Sequence, residues 1–222
     1  MRMTRRGLGA IAAALVATLA AIGFRRGSFG LIQHATAEAP SNADLMVAGP
    51  LGEEVQGKAD APITVIEYAS MTCPHCANFA VNVYPVLKSR YIDTGQVRYI
   101  LREFPLDPLA TAGFMLARCA GDDKYFKVVD LLFRRQRDWT VQRPLAPLLN
   151  IAEQEGLTKA SFDACLTNQK VLDGIEWVRE RAATKLGVDS TPTFFINGEI
   201  HRGEMTVAEL EKALQDAPRL SR

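Results

Sequence analysis

At 222 residues, 48% hydrophobic and 23% charged, the chain has ordinary globular composition and can bury one full core, which excludes a disordered tail or a small disulfide-stapled scaffold. Its 26 basic and 25 acidic residues give a net charge of +1. However, Arg2, Arg5, Arg6, Arg25 and Arg26 all fall in the first 37 residues, which hold no acid, so the remainder has 21 basic against 25 acidic residues, a net −4. A mildly acidic body without a Lys/Arg stripe offers no electrostatic footprint for nucleic acid.

The chain opens with a basic head, an apolar run over 7–24, and small residues in the A-x-A pattern at Ala35 and Ala37. This pattern predicts an export signal over 1–37, with an uncleaved membrane anchor as the alternative. Arg5 and Arg6 fit a Tat-type signal as well as the basic region of a Sec signal, and both routes lead out of the cytoplasm to the periplasm. Residues 38–54, rich in small and turn residues, read as a tether.

The folded body begins with "PITVIEYAS", apolar on both alternations except for Glu67, which predicts a central strand covered on both faces. Cys76, Phe79, Ala80, Val83 and Leu87 then recur at helical spacing, predicting a helix from near Pro74 to about Tyr91. Proline early in a helix is favourable, because the N–H it lacks has no partner there. A second strand over 96–104 completes a βαβ unit and implies a parallel pairing.

Residues 109–186 carry helical patterns only, with Gly156 and Thr158 marking one helix stop and the next N-cap. Within this stretch Trp139, Trp177, Phe126, Phe133 and Phe162 read as core, and "FRRQR" (133–137) as a solvated helix end. Strand character returns in "TPTFFING" and "EIHRGE", joined by Asn197 and Gly198 as a hairpin. An amphipathic helix follows, with Thr206 and Glu209 as its capping box.

Cys73 and Cys76 bracket Pro74 and His75 at the junction of strand and helix. Zinc would need two more ligands, whereas Cys119 and Cys165 are isolated, so no metal site is expected; haem attachment would need histidine after the second cysteine, where Ala77 stands. Redox exchange remains. A helix start stabilises a thiolate at Cys73 through its dipole and free N–H groups, while Cys76, one turn inward, serves as the resolving thiol. His75 adds to this if it is protonated or points its N–H at the sulfur. A stabilised thiolate makes the disulfide the stronger oxidant, so electrons should flow from substrate thiols into the pair.

"CPHC" after "PITVIEYAS", the helical stretch and the late "STPTFFING" together resemble the DsbA family of thiol oxidases, over about 55–214. The resemblance implies an α/β thioredoxin-like fold with an inserted α-helical domain. Its first part would be 55–108, the insert 109–186 and its second part 187–217. It also implies a cis peptide between Thr191 and Pro192, facing the redox pair and binding substrate backbone. Glu67 must be exposed, paired or neutral to sit in such a strand; the resemblance implies proton transfer toward Cys76, with a carboxyl raised by desolvation. An even cysteine count in an exported protein, together with a likeness to α-proteobacterial relatives, points to a structural disulfide between Cys119 and Cys165, the alternative being two buried thiols. Met71, Thr72 and Met205 would form an apolar rim.

On this reading the chain oxidises reduced substrate proteins in the periplasm, needs no dissociable cofactor, and is reoxidised by a DsbB-type quinone-linked membrane partner. A disulfide isomerase or reductase is the rival within the class. A peptide-binding chaperone is the rival outside it.

Overall fold

The computed structural model describes residues 40–218, so the export signal expected over 1–37 lies outside the described residues. The tether expected over 38–54 needs correction in its described part. Ser41 caps a short helix, α1 (Asn42–Leu45), and Leu45 is buried against Ile66, Tyr68, Phe104 and Val178. An apolar side chain that covers an open sheet face is tied down by its burial, whatever the turn residues around it. The tether reading also hid an edge strand, β1 (Glu54–Gln56).

β2 (Ile63–Ala69) is buried at six of its seven positions, as its two-sided apolar run requires. The chain then enters α2 (Pro74–Asn78) and α3 (Tyr84–Leu87), which are joined by a π-helical turn over Phe79–Val83 and followed by another over Lys88–Ile92. The single regular helix expected over this span is thus interrupted, because Pro85 has no N–H to continue the α pattern; the Tyr84 N–H bonds the carbonyl of Phe79, five residues back. β3 (Val97–Glu103) returns parallel to β2, Ile63 opposite Val97 and Ala69 opposite Glu103, and it takes β1 antiparallel on its other side.

Six helices follow: α4 (Pro108–Cys119), α5 (Asp122–Arg134), α6 (Gln136–Trp139), α7 (Leu145–Gln154), α8 (Lys159–Leu166) and α9 (Gln169–Lys185). Trp139 is fully buried and its indole N–H donates to the Leu132 carbonyl, 2.9 Å away. Trp177, expected in the core, is 40% exposed, because the buried face of α9 runs through Gly174, Ile175, Val178 and Ala182. Cys119 and Cys165 are joined, tying the end of α4 to α8 across 46 residues. Closing a loop of that length restricts the unfolded chain by about 4 kcal/mol. Urea denaturation of the double variant Cys119→Ala/Cys165→Ala should show a loss approaching that size, and an unchanged midpoint would deny the bond a stabilising role.

The chain closes with β4 (Thr193–Ile196), antiparallel to β2, then β5 (Glu199–Arg202), then α10 (Val207–Asp216) with its Thr206/Glu209 capping box. Asn197 (φ 46) and Gly198 (φ 94) make the hairpin turn; left-handed backbone at both positions gives a turn whose twist matches that of the strands. The sheet order is β1-β3-β2-β4-β5, with β2 at its centre. One face packs on α2, α3 and the earlier helices of the insert through Val65, Tyr99, Leu101 and Phe194; the other packs on α1 and the insert's last helix, α9, through Ile66, Ile100 and Phe195. This is the thioredoxin-like fold with a helical insertion, and it sets the cysteine pair at the C-terminal end of the central strand.

The burial of charge could not be read from the sequence. Arg118 on α4 bonds Glu103 (2.5 Å) and Glu54 (2.7 Å), and Arg102 bonds Glu53 (2.8 Å) and the Tyr68 hydroxyl (2.7 Å). These pairs anchor the start of β1 and the residue before it to the insert and to the sheet, because a guanidinium at such depth needs all its partners.

Candidate active site

Cys73 is the N-cap residue of α2, in extended backbone, with its carbonyl accepting from the Ala77 N–H and its own N–H on the Ser70 carbonyl. Both cysteines are free thiols, Cys73 6% exposed and Cys76 fully buried. The Cys76 thiol donates to the Cys73 sulfur, which is the main reason the Cys73 thiol is lowered to about 5. The backbone N–H groups of Cys76 and His75 add to the effect, against the opposing cost of burial. Burial, with donation to Cys73 and the charge of Glu67 behind it, pushes Cys76 well above the ordinary thiol range. One sulfur is therefore an anion at neutral pH and the other holds its proton.

The peptide between Thr191 and Pro192 is cis, and the Thr191 carbonyl lies 3.3 Å from the Cys73 sulfur. The Pro192 carbonyl accepts from the Gly203 N–H (2.8 Å), which ties this loop to the one after β5. Pro74 is exposed in the first turn of α2. The His75 ring is not directed at the sulfur. Its side chain is 69% exposed and Nδ1 lies 2.7 Å from Glu204, which raises the imidazole's pKa; what His75 offers the thiolate directly is its backbone N–H. The Asn78 amide also donates to Glu204, so one carboxylate joins the loop after β5 to α2.

Glu67 is 2% exposed in the middle of β2 and on the same sheet face as Val65 and Ala69. Burial raises its carboxyl to about 8, opposed by the Tyr99 hydroxyl, which donates to it at 2.6 Å. Its remaining coupling is through charge: the Cys73 sulfur raises the Glu67 carboxyl, and the charge of Glu67 raises the Cys76 thiol. Beside it is a cavity of about 20 Å³, bordered by Phe79, Tyr84, Tyr99 and Phe126.

A thioredoxin family profile matches residues 51–216. The crystal structure of Wolbachia pipientis alpha-DsbA1 superposes with a TM-score of 0.74 at 32% identity, covering 80% of this chain and 96% of that one. The chain belongs to the DsbA family of thioredoxin-fold proteins. A Rickettsia bellii protein named as an inferred protein-disulfide oxidoreductase is 32% identical over 168 residues, which is 73% of this chain and 65% of that protein. The chain thus spans less than two thirds of that relative's length. Oxidised BdbD of Bacillus subtilis, at 21% identity and a TM-score of 0.63, shares the fold.

In this DsbA-family protein the sequence did not single out Glu204, which holds the His75 ring, or a second residue deeper in the site. Gln136, inside the segment read as a solvated helix end, is 8% exposed and its Nε2 donates to the carbonyls of Met71 and Cys73, both at 2.9 Å. The flanking Arg134 and Arg135 are indeed solvent-facing and paired with Asp130 and Asp138. The signal was the lone amide in a basic run, at the first position of α6. Gln136→Leu leaves the Met71 carbonyl buried without this donor, so stability should fall by about 1–3 kcal/mol. Ultraviolet titration of the Cys73 thiolate in the same variant should move upward, and an unmoved curve would limit Gln136 to structure. The apolar rim expected from Met71, Thr72 and Met205 is also revised: Met71 is fully buried against Gly113, Met205 is 6% exposed, and the Thr72 hydroxyl donates to Asp107 at 2.6 Å.

Proposed function

We propose that the chain is an exported thiol-disulfide oxidase acting on reduced proteins in the periplasm. The observation that carries the reading is the split within the pair, an acidic thiol at the helix start and a buried, weakly acidic one a turn inside it. A substrate thiolate attacks the Cys73 sulfur of the Cys73–Cys76 disulfide. The S–S bond breaks with its electron pair leaving on Cys76, which is protonated by the neutral Glu67 carboxyl. A second substrate thiolate then attacks the substrate sulfur of the mixed disulfide, and Cys73 departs as a stable thiolate. The substrate loses two electrons and the enzyme gains them. Thr191 and Pro192 lie against Cys73, where an extended substrate backbone would run.

Regeneration requires an oxidant, for which a quinone-linked DsbB-type membrane protein is the partner proposed. Export rests on the basic head, apolar run and A-x-A pattern over 1–37.

The direction of electron flow follows from linkage. A Cys73 thiol lowered from 9.0 to about 5 stabilises the reduced form at pH 7 by about 2 kcal/mol after solvent screening, which is about 40 mV for two electrons. That stabilisation is complete above pH 9.0 and is lost as pH falls through about 5. Equilibration with glutathione is the test. DsbA, the family's namesake, stands near −120 mV and thioredoxin at about −270 mV. A potential toward the first value supports the oxidase; one near the second moves the protein to the reductase or isomerase reading.

A further inference from the structure

If the chain acts on protein thiols, the polypeptide around the reacting cysteine must lie somewhere on its surface. The connection from β3 to α4 is pinned to the redox turn at two points: the Leu106 N–H donates to the Ser70 hydroxyl (3.2 Å), and the Thr72 hydroxyl donates to Asp107 (2.6 Å). A groove of about 740 Å³ begins at this connection and runs between α4 and α9. Its floor is apolar, built from Leu106, Met115, Leu166 and Leu172. Leu106, one residue from the Asp107 contact, is 51% exposed, an unusual position for a large apolar side chain beside a reactive centre.

The charge along the groove is mainly negative, three carboxylates against one guanidinium. Glu176 and Glu180 stand one turn apart on α9, both exposed, and neither enters an ion pair among the described residues. Asp107 adds a third carboxylate, its oxygens held by the Thr72 hydroxyl and the Ala110 N–H. The one cation of the lining, Arg179, is exposed but engaged along the groove's edge: its Nε bonds the Pro105 carbonyl at 2.9 Å and its guanidinium lies 5.4 Å over the Phe104 ring. An apolar floor with an excess of carboxylates is complementary to a chain segment that carries both an apolar residue and a base.

We infer that this groove is a second contact for the protein being oxidised, holding a segment a few residues from its reacting cysteine, with an apolar side chain on Leu106 and a lysine or arginine at Glu176 and Glu180. This deepens the proposed function by naming a substrate class and rests on that reading. It makes the enzyme select among reduced proteins by the chemistry flanking the cysteine. The attraction is an exposed one, so it weakens as salt rises.

The test compares two dithiol peptides that differ only in lysine or glutamate near the apolar residue, with dithiothreitol, too small to reach the groove, as the reference substrate. The full chain should turn over the lysine peptide with a higher kcat/KM. In Glu176→Lys/Glu180→Lys the ratio of lysine-peptide to dithiothreitol rates should fall about tenfold, roughly 1.4 kcal/mol, and the preference should reverse. Leu106→Ser should raise KM for both peptides relative to dithiothreitol. Equal use of the two peptides by the unaltered protein would overturn the inference. So would Leu106→Ser changing only self-association in sedimentation, which would make a second copy of the chain the occupant. Failure to oxidise dithiothreitol at all would instead sink the oxidase reading itself.

Discussion

Cys76→Ala is expected to convert the protein into a trap. With no partner thiol, Cys73 remains an anion held by the backbone N–H groups at the start of α2 and can still attack a disulfide in a substrate, but nothing inside the site can displace what it captures. Substrates should accumulate as mixed disulfides on Cys73, visible on non-reducing gels and released by reductant. The loss of the Cys76 thiol also removes the main hydrogen bond that stabilises the Cys73 thiolate, so its titration should shift upward from about 5. Cys73→Ala, by contrast, should abolish exchange and trapping together, since Cys76 is fully buried and keeps its proton. Retained trapping in Cys73→Ala would reverse the assignment of the two sulfurs, and retained function without either cysteine would favour the chaperone.

Glu67→Gln should stabilise the folded protein. The carboxyl is raised from 4.5 to about 8, so between those values the folded state holds a proton that the unfolded chain has released. Stability therefore declines as pH rises through this window, and at pH 7 the penalty is about 3 kcal/mol. Glutamine can still accept from Tyr99, whose hydroxyl lies 2.6 Å from the carboxylate, and it carries no titration. Urea denaturation of the oxidised form, in which the cysteines do not titrate, should show the variant gaining on the wild type from the acid end of the window to the alkaline end. Parallel curves would mean that the carboxyl does not titrate in that window. The same variant should form mixed disulfides more slowly, because the Cys76 sulfur expelled by the substrate loses its nearby acid.

What could be read from the chain was local. Ile63 to Ala69 announce a covered strand by having apolar residues on both faces, Asn197 and Gly198 announce a turn by their tolerance of left-handed backbone, and Thr206 with Glu209 announces a helix start; each depends on neighbours a few residues away. The cysteine spacing marked the redox centre for the same reason. What stayed hidden depends on partners far along the chain: the His75 ring is held by Glu204, Gln136 reaches the Met71 and Cys73 carbonyls, and Arg118 gathers Glu54 and Glu103. Leu45 was concealed differently, among small and turn residues, since its value lies wholly in the sheet face it covers.

The bond from Gln136 has a consequence for the modularity of this architecture. The chain leaves the thioredoxin-like core at α4 and rejoins it at β4, a layout that invites excision of everything between, or replacement by a relative's version. Yet the amide that braces the backbone of Cys73 comes from the middle of that detour. A minimal protein made by splicing the core back together would keep both sulfurs and lose the brace, so a graft between relatives must carry the insert and the redox turn as a matched set.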